Sequence, residues 1–304
     1  EDQPYAVHAD INDDDQSIDI PKIGTKAVGK ETNTNLINST DKQTIVDTVK
    51  YSNLPVGKKY KVKGWLVDKD GKKIEGTEAE KEFTADGEDG SIDVELTFDP
   101  SGYDGNDVIV FEELYLGDDL VAEHKDVKDS DQTVHLSRIK TKAVGKDSGI
   151  NMIKFKGEQT IIDTISYENL LKGEVYEVKG WLVDENGERI EGTVTEKEFE
   201  AAEQAGTVDV EITFDASDIK NKVTVFEEIY LNGNLVGEHK DLNDSEQTIY
   251  TPEIGTKAIG KDTGSNVING TGEQNIIDTI SYTGLAPGKS YKAKGWLVDE
   301  DGNK

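Results

Sequence analysis

Five polar residues recur in the same order at a fixed interval. Thr25, Asp47, Glu112, His124 and Gln132 return as Thr141, Asp163, Glu227, His239 and Gln247, 116 residues later for the first two and 115 for the other three. A third series opens with Thr256 and Asp278, and an earlier one leaves His8 and Gln16. His precedes Gln by eight residues in all three places where both occur. A hydroxyl, two carboxyls, an imidazole and a carboxamide form a set that can pass protons and, once the hydroxyl is activated, attack a carbonyl. An interval of about 115 residues is a whole small domain rather than a solenoid unit of roughly 20–50 residues. The chain therefore reads as a tandem array. Residues 1–20 are the tail of one repeat, 21–135 and 136–250 are complete repeats, and 251–304 are the start of a third.

The elements that must position these residues are strands. Residues 60–67 (Tyr-Lys-Val-Lys-Gly-Trp-Leu-Val) and 92–98 (Ile-Asp-Val-Glu-Leu-Thr-Phe) alternate, the period of a half-buried strand. Asp70-Gly71, Asn186-Gly187 and Asp301-Gly302 each follow a Trp-Leu-Val strand, and Asn232-Gly233 marks a further hairpin. No amphipathic helix stands out. Many short strands with regular turns in about 115 residues predict an all-β fold, an antiparallel immunoglobulin-like β-sandwich in tandem. The joins near residues 20, 136 and 251 hold no Gly/Ser-rich linker, so the domains are expected to abut.

Alternation also assigns faces. Asp47 shares a face with Ile45, Val49 and Tyr51; Asp163 with Ile161, Ile165 and Tyr167; Asp278 with Ile276, Ile280 and Tyr282. Glu112 lies with Val108, Val110 and Leu114, and Glu227 with Val223, Val225, Ile229 and Leu231. Thr25 goes with Ile23 and Ala27, Gln132 with Val134 and Leu136, and Gln247 with Ile249. A buried polar group without a partner costs about 2–7 kcal/mol. Five inward polar residues per domain are better explained as one mutually satisfied network than as independent structural residues. Three of the four histidines hold the repeated position; His135 reads as an ordinary strand residue.

Composition narrows the classes. With 63 acidic against 34 basic residues the net charge is −29, which argues against nucleic acid and anionic membranes as partners and favours an extended array. No apolar run reaches the length of a membrane span, so membrane insertion is not expected. No cysteine is present, which removes disulfides, thiolate metal sites and cysteine nucleophiles. Neither a signal peptide nor a sorting signal is seen, and both ends cut through repeats, so the chain reads as an excerpt of a longer one.

The residues resemble a known family. Val-Ile-Val-Phe-Glu at 108–112, Val-Thr-Val-Phe-Glu at 223–227, the Ile-x-Thr-x-Ala starts at 23–27, 139–143 and 254–258, and the His-x-Asp…Gln-[Ser/Thr] ends are similar to Gram-positive surface proteins with VaFE repeats that carry intramolecular Thr–Gln ester bonds. The resemblance implies an immunoglobulin-like sandwich whose first and last strands are joined by an ester, in the stalk of a cell-wall-anchored adhesin. Carried over, Thr25 would link to Gln132 and Thr141 to Gln247, with His, Asp and Glu promoting the reaction. His124 or His239 would take the threonine proton and help ammonia leave. Asp47 with Glu112, and Asp163 with Glu227, would share one proton, because two close buried carboxyls do not both ionise readily, and the protonated member would donate to the oxyanion; which member that is stays open. No cofactor is implied, and the event is a single self-modification without turnover. A loop of about 107 residues closed in this way contributes roughly 4–5 kcal/mol in a chain-entropy model. Partners are expected to be the neighbouring repeats, with any host ligand bound outside this chain. The expected location is extracellular, with the wall anchor and leader outside it.

The incomplete sites, His8 with Gln16 and Thr256 with Asp278, cannot close alone, and residues 1–19 and 254–304 are expected to be poorly ordered. Three other readings compete. Lys26, Lys142 and Lys257 could form isopeptides, but alternation turns them outward. Trp65 and Trp181 could bind a glycan or host protein, although their strand positions suggest places in or near the core. Asp126, Asp129 and Asp131, like Asp10, Asp13, Asp14 and Asp15, could hold Ca²⁺ weakly, although a solvated acidic turn is the simpler reading and no metal is called for. Hydrolysis of an external substrate ranks last, because each complete copy supplies its own acyl donor.

Overall fold

The computed structural model describes residues 6–10 and 13–304; the parts of the tail reading that fall on residues 1–5 and 11–12 lie outside them. Alternating sequence becomes strand throughout, and the described residues contain no α-helix, only two short 3₁₀ turns at Asp14–Gln16 and Ala216–Asp218. The chain divides into two compact units. One comprises the residues up to Arg138 with Glu168–Lys172 and Leu231–Gly237, and the other Ile139–Tyr167, Gly173–Tyr230 and Glu238–Lys304.

The first repeat has nine strands: β1 (Lys22–Gly29), β2 (Leu36–Ile37), β3 (Gln43–Ser52), β4 (Lys59–Asp68), β5 (Ala79–Thr84), β6 (Gly90–Phe98), β7 (Asp107–Leu116), β8 (Asp119–His124) and β9 (Thr133–Leu136). β1, β3 and β6 form one sheet in that order. The other runs β2-β9-β7-β4-β5, with β8 also on β7. Ile45, Val49, Val94 and Leu96 from the first sheet pack with Val62, Leu66, Val110, Leu114 and Val134 from the second in one core. This is the all-β sandwich expected from alternation, since each sheet has one apolar face to cover.

One edge of β7 serves two partners. Its first residues pair with β9, Val108 opposite Val134 and Ile109 opposite Thr133. Its later residues pair with β8, beginning with Glu112 opposite His124. The strand that carries Glu112 thus changes partner just before it, where the chain leaves β8 and returns to β9.

The second repeat follows the same plan with β10 (Arg138–Gly145), β11 (Glu158–Glu168), β12 (Val175–Val183), β13 (Thr195–Glu200), β14 (Gly206–Asp215), β15 (Lys222–Leu231), β16 (Asn234–His239) and β17 (Thr248–Tyr250). Its sheets are β10-β11-β14 and β13-β12-β15-β16, with β17 also on β15. Asn232 and Gly233 both adopt positive φ, the backbone that a two-residue hairpin turn requires. The third repeat start forms β18 (Glu253–Gly260) and β19 (Ile276–Thr283). They pair with Ala258 opposite Asp278, as Ala27 stands opposite Asp47. This segment therefore keeps its first hairpin, more structure than the sequence suggested, because the pairing is local. Its apolar residues Ile276, Ile280 and Tyr282 remain exposed.

The reading that put the two tryptophans in or near the core fits Trp181, which is buried, while Trp65 is half-buried and outside the core cluster. They sit on the outer face of the larger sheet, opposite the face that carries Leu66 and Leu182. Trp65 meets Phe111 edge-on at 6.2 Å, with Lys73 and Lys125 over its ring at 5.4 and 5.3 Å. Trp181 meets Phe226 in the same way and lies 4.2 Å beneath the Arg189 guanidinium, which leaves it 5% exposed. These rings are covered by cations rather than by the apolar core.

Both repeats pack a tyrosine ring against a glycine. A Cβ added at Gly90 would overlap the Tyr51 ring, and one at Gly206 would overlap that of Tyr167. Gly90→Ala, made in a Thr25→Ala background, is expected to lower the unfolding free energy of the first repeat by about 1–3 kcal/mol. Urea titration followed by Trp65 fluorescence measures this, and an unchanged midpoint would contradict the packing argument.

Candidate functional site

The inward faces bring one hydroxyl, two carboxyls and one carboxamide together in each complete repeat. In the first, Thr25 is 9% exposed, and Asp47, Glu112 and Gln132 are fully buried. Three elements converge. β1 carries Thr25, β3 carries Asp47 two strand positions away through the Ala27–Asp47 pair, and β7 presents Glu112 from the facing sheet. Gln132 is held by its backbone at both ends. Its N–H donates to the Asp129 carbonyl at 3.2 Å, and its carbonyl accepts from Val110 N–H at 3.1 Å. One residue earlier, the Asp131 carbonyl accepts from Ala27 N–H at 2.8 Å, which stitches the approach to the last strand onto the first. The second repeat repeats the stitches: Gln247 to Asp244 at 3.3 Å, Val225 to Gln247 at 3.1 Å and Ala143 to Glu246 at 2.9 Å.

The side chains form an ordered set of contacts. Thr25 Oγ1 donates to Glu112 Oε2 at 3.3 Å, and Gln132 Nε2 donates to Asp47 Oδ1 at 3.3 Å. In the second repeat Gln247 Nε2 donates to Asp163 Oδ1 at 3.1 Å. Thr141 Oγ1 lies near enough to Glu227 to favour its charged form, though outside hydrogen-bond geometry. The glutamine carbonyl oxygens, Gln132 Oε1 and Gln247 Oε1, are buried and have no hydrogen-bond partner among the described residues. A buried, unpaired carbonyl oxygen has most to gain from a donor when it becomes an oxyanion.

Electrostatics raise both acids of each pair. Burial pushes Glu112 far above the usual carboxylate range, and the negative charge of Asp47 adds to this. Asp47 is also raised by burial, but the neighbouring Glu112 carboxyl and the nearby His124 imidazole offset part of it. The same asymmetry holds in the second repeat: Glu227 is raised strongly by burial and by Asp163, whereas the rise of Asp163 by burial is offset in part by the neighbouring Glu227 carboxyl and by the hydrogen bond from Gln247. Both acids of each pair are thus raised, the glutamic acid the more strongly, so that each pair favours holding one proton.

His124 occupies the edge of the site, opposite Glu112 in the β7–β8 register. Its Nε2 pairs with Asp129 Oδ2 at 2.8 Å, and His239 Nε2 pairs with Asp244 Oδ2 at 2.9 Å. In the tail, His8 pairs with Asp13. Sequence reading missed these aspartates as histidine partners and placed Asp129 among potential calcium ligands. The signal was present, because each aspartate falls five residues after His and three before Gln in all three copies. Asp129 spends one carboxylate oxygen on His124 and the other on Asp131 N–H, while Asp126 caps Lys128 N–H. No group of three potential metal ligands is gathered among the described residues.

The remaining positions are placed elsewhere. Lys26, Lys142 and Lys257 are exposed, on the strand face opposite the threonines. Thr256 and Asp278 take up the positions of Thr25 and Asp47 in the hairpin but are exposed. His8 and Gln16 lie in the exposed tail turn. His135 bonds Asp107 through Nδ1 at 2.7 Å, away from the site.

A pH dependence follows from the buried acids. Glu112 and Glu227 bind their protons more tightly folded than unfolded. Their contribution to stability is full below the ordinary glutamic value of 4.5 and is lost as pH rises toward the folded value. A chain carrying Thr25→Ala and Thr141→Ala should therefore have a lower urea midpoint at pH 8 than at pH 5, and adding Glu112→Gln and Glu227→Gln should flatten that slope. A midpoint that rises over the same interval would contradict the assignment of the protons.

Residues 21–136, 137–251 and 252–304 each match the family described as T-Q ester bond containing domain. No curated protein matches the chain. Among solved structures, the chain is similar to an adhesin from Mobiluncus mulieris containing intramolecular disulfide, isopeptide and ester bond cross-links, at 16% identity over 86% of this chain and 97% of that one, with a TM-score of 0.33. A second crystal form of that adhesin gives 16% identity over 88% and 93%, with a TM-score of 0.34. A family 2 glycosyl hydrolase from Bacteroides cellulosilyticus gives 9% identity over 75% of this chain and 30% of that one, with a TM-score of 0.30. The three successive family matches run through the repeats that carry the buried Thr, Asp, Glu and Gln: the chain belongs to the T-Q ester bond containing domain family.

Proposed function

We propose that each complete repeat closes its own ester, Thr25 to Gln132 and Thr141 to Gln247, with loss of one ammonia per repeat. We further propose that the array is a stalk segment of a bacterial cell-surface adhesin anchored to the wall. The observation that carries the chemistry is the buried Gln132, whose amide nitrogen is held by Asp47 while its carbonyl oxygen lies unpartnered and Thr25 bonds the neighbouring Glu112.

The contacts suggest a proton route that closes without an external group. As Thr25 Oγ bonds to Gln132 Cδ, its proton moves to Glu112 Oε2. Glu112 passes its own proton to Asp47, and Asp47 delivers it to the departing Nε2. The Cδ–Nε2 bond breaks, ammonia leaves, and the acid pair returns to its starting state. His124 has Asp129 as its bonded partner and contributes through its charge effect on Asp47, a different role from the direct base that the resemblance implied. Folding supplies proximity. Burial keeps water from returning to the ester. The sequence of steps runs once per domain, so the domain is not a turnover enzyme.

The mechanical consequence comes from topology. The ester would tie β1 to the residue before β9, so tension applied at the ends of a repeat would load a covalent bond instead of the sheet. An exposed cell-surface stalk is where such a bond has most use, and the ester named for the Mobiluncus mulieris adhesin fits that setting.

Intact mass provides the test. The chain should weigh two ammonia molecules less than its sequence, and Thr25→Ala or Thr141→Ala should each restore one. Alkaline hydroxylamine should cleave both links. Glu112→Gln should stop closure in the first repeat alone. A full sequence mass for the folded, unsubstituted chain would sink the proposal.

A further inference from the structure

The turn that delivers each reactive glutamine contains a hydroxyl that the ester reading does not use. Thr133 Oγ1 donates to the Asp129 carbonyl at 2.8 Å, and Thr248 Oγ1 donates to the Asp244 carbonyl at 2.8 Å. That same carbonyl accepts the backbone N–H of the glutamine. The carboxylate of the same aspartate holds the histidine with one oxygen, and with the other accepts the N–H of the residue before the glutamine. One aspartate therefore fixes histidine, glutamine and the stitch to the first strand, and the hydroxyl pins its carbonyl.

The tail shows that this arrangement is local. Ser17 Oγ donates to the Asp13 carbonyl at 3.2 Å, Gln16 N–H to the same carbonyl at 3.0 Å and Asp15 N–H to Asp13 Oδ1 at 2.9 Å, with His8 on the other carboxylate oxygen. None of the described residues from 8 to 17 lies in a strand. The hydroxyl bond thus forms without a strand of its own, and a serine makes it as well as the two threonines do.

Resting on the ester reading, we propose that Thr133 and Thr248 are positioning residues for ester formation, which hold the Asp-centred turn so that the glutamine enters the site in reacting geometry. Thr133 is half-buried on the strand face opposite Gln132 and Val134. A valine would suit the strand equally well, but it would free the Asp129 carbonyl from one of its two donors. The Val110 and Ala27 stitches would remain, so closure should slow rather than stop. Loss of one net hydrogen bond corresponds to roughly a two- to tenfold lower rate.

The test uses the full chain, recovered unfolded in urea and refolded by dilution. Ammonia loss from each repeat is followed by mass of the digested peptides. Thr133→Val should slow closure in the first repeat about two- to tenfold, with the second repeat as internal reference. Thr133→Ser should restore the rate, and Thr248→Val should reverse the pattern. Thr133→Ala serves as a second truncation should valine disturb folding, and Trp65 fluorescence reports whether each variant refolds. Folded Thr133→Val and Thr133→Ala chains that close at the unsubstituted rate would overturn the proposal, as would a Thr133→Ser chain as slow as Thr133→Val. Absence of any ammonia loss in the unsubstituted, folded chain would instead overturn the ester reading on which it rests.

Discussion

A single proton shared by two buried carboxyls is the constraint to which the rest of each repeat answers. Asp47 and Glu112 have no access to solvent, and two charges there would face both desolvation and mutual repulsion. One neutral acid removes most of that cost. Glu112 is raised further than Asp47, beside which the Gln132 amide and the His124 imidazole favour charge. The pair is then asymmetric before any reaction begins: the acid faces threonine and the base faces the amide. Several buried oxygens in the site stay unpaired among the described residues. A network left in that state costs stability, and a reaction that expels the amide nitrogen changes which groups need partners.

The fold meets this constraint by register and by a change of strand partners. Thr25 and Asp47 sit on adjacent strands whose pairing puts Ala27 opposite Asp47. A slip of one residue would turn threonine to solvent and Lys26 to the core. Glu112 comes from the facing sheet, just where β7 exchanges β9 for β8. That exchange opens the sheet edge without breaking the strand. It lets a turn from the far end of the domain bring Gln132 and His124 to the same place. The outer face of the sheet is occupied by Trp65, Phe111 and the lysines over them, so β7 is packed on both sides.

Sequence carried some of this plainly. Alternation assigned Asp47, Glu112, Thr25 and Gln132 to inward faces, and these residues are buried, because a strand's period of two leaves little freedom once one face must be dry. The outward faces were harder. The strand position of Trp65 suggested a place in or near the core, but it lies on the face opposite Leu66, where Lys73 and Lys125 sit over its ring. The Asp129–His124 pair was not read because it lies in a turn, where neither period nor polarity distinguishes a structural aspartate from a solvated one. Only the triple recurrence of its spacing marks it. Which acid keeps the proton depends on the partners of each oxygen, and these arise from tertiary packing.

The third repeat start separates what the local chain determines from what the whole domain must add. β18 and β19 reproduce the pairing of β1 and β3, so Thr256 and Asp278 reach their positions through hairpin register alone. Yet both are exposed, and Ile276, Ile280 and Tyr282 beside them face solvent. The tail makes the complementary point, since His8, Asp13 and Gln16 form their turn with no strand nearby. Placement of the threonine and placement of the glutamine are therefore separate local events. On the proposed chemistry neither brings reactivity by itself, because an exposed aspartate has no reason to share a proton and an exposed amide keeps its water. The proposed reaction would begin only when the facing sheet brings in the glutamic acid and shuts water out, which would couple closure of the ester to completion of the sandwich.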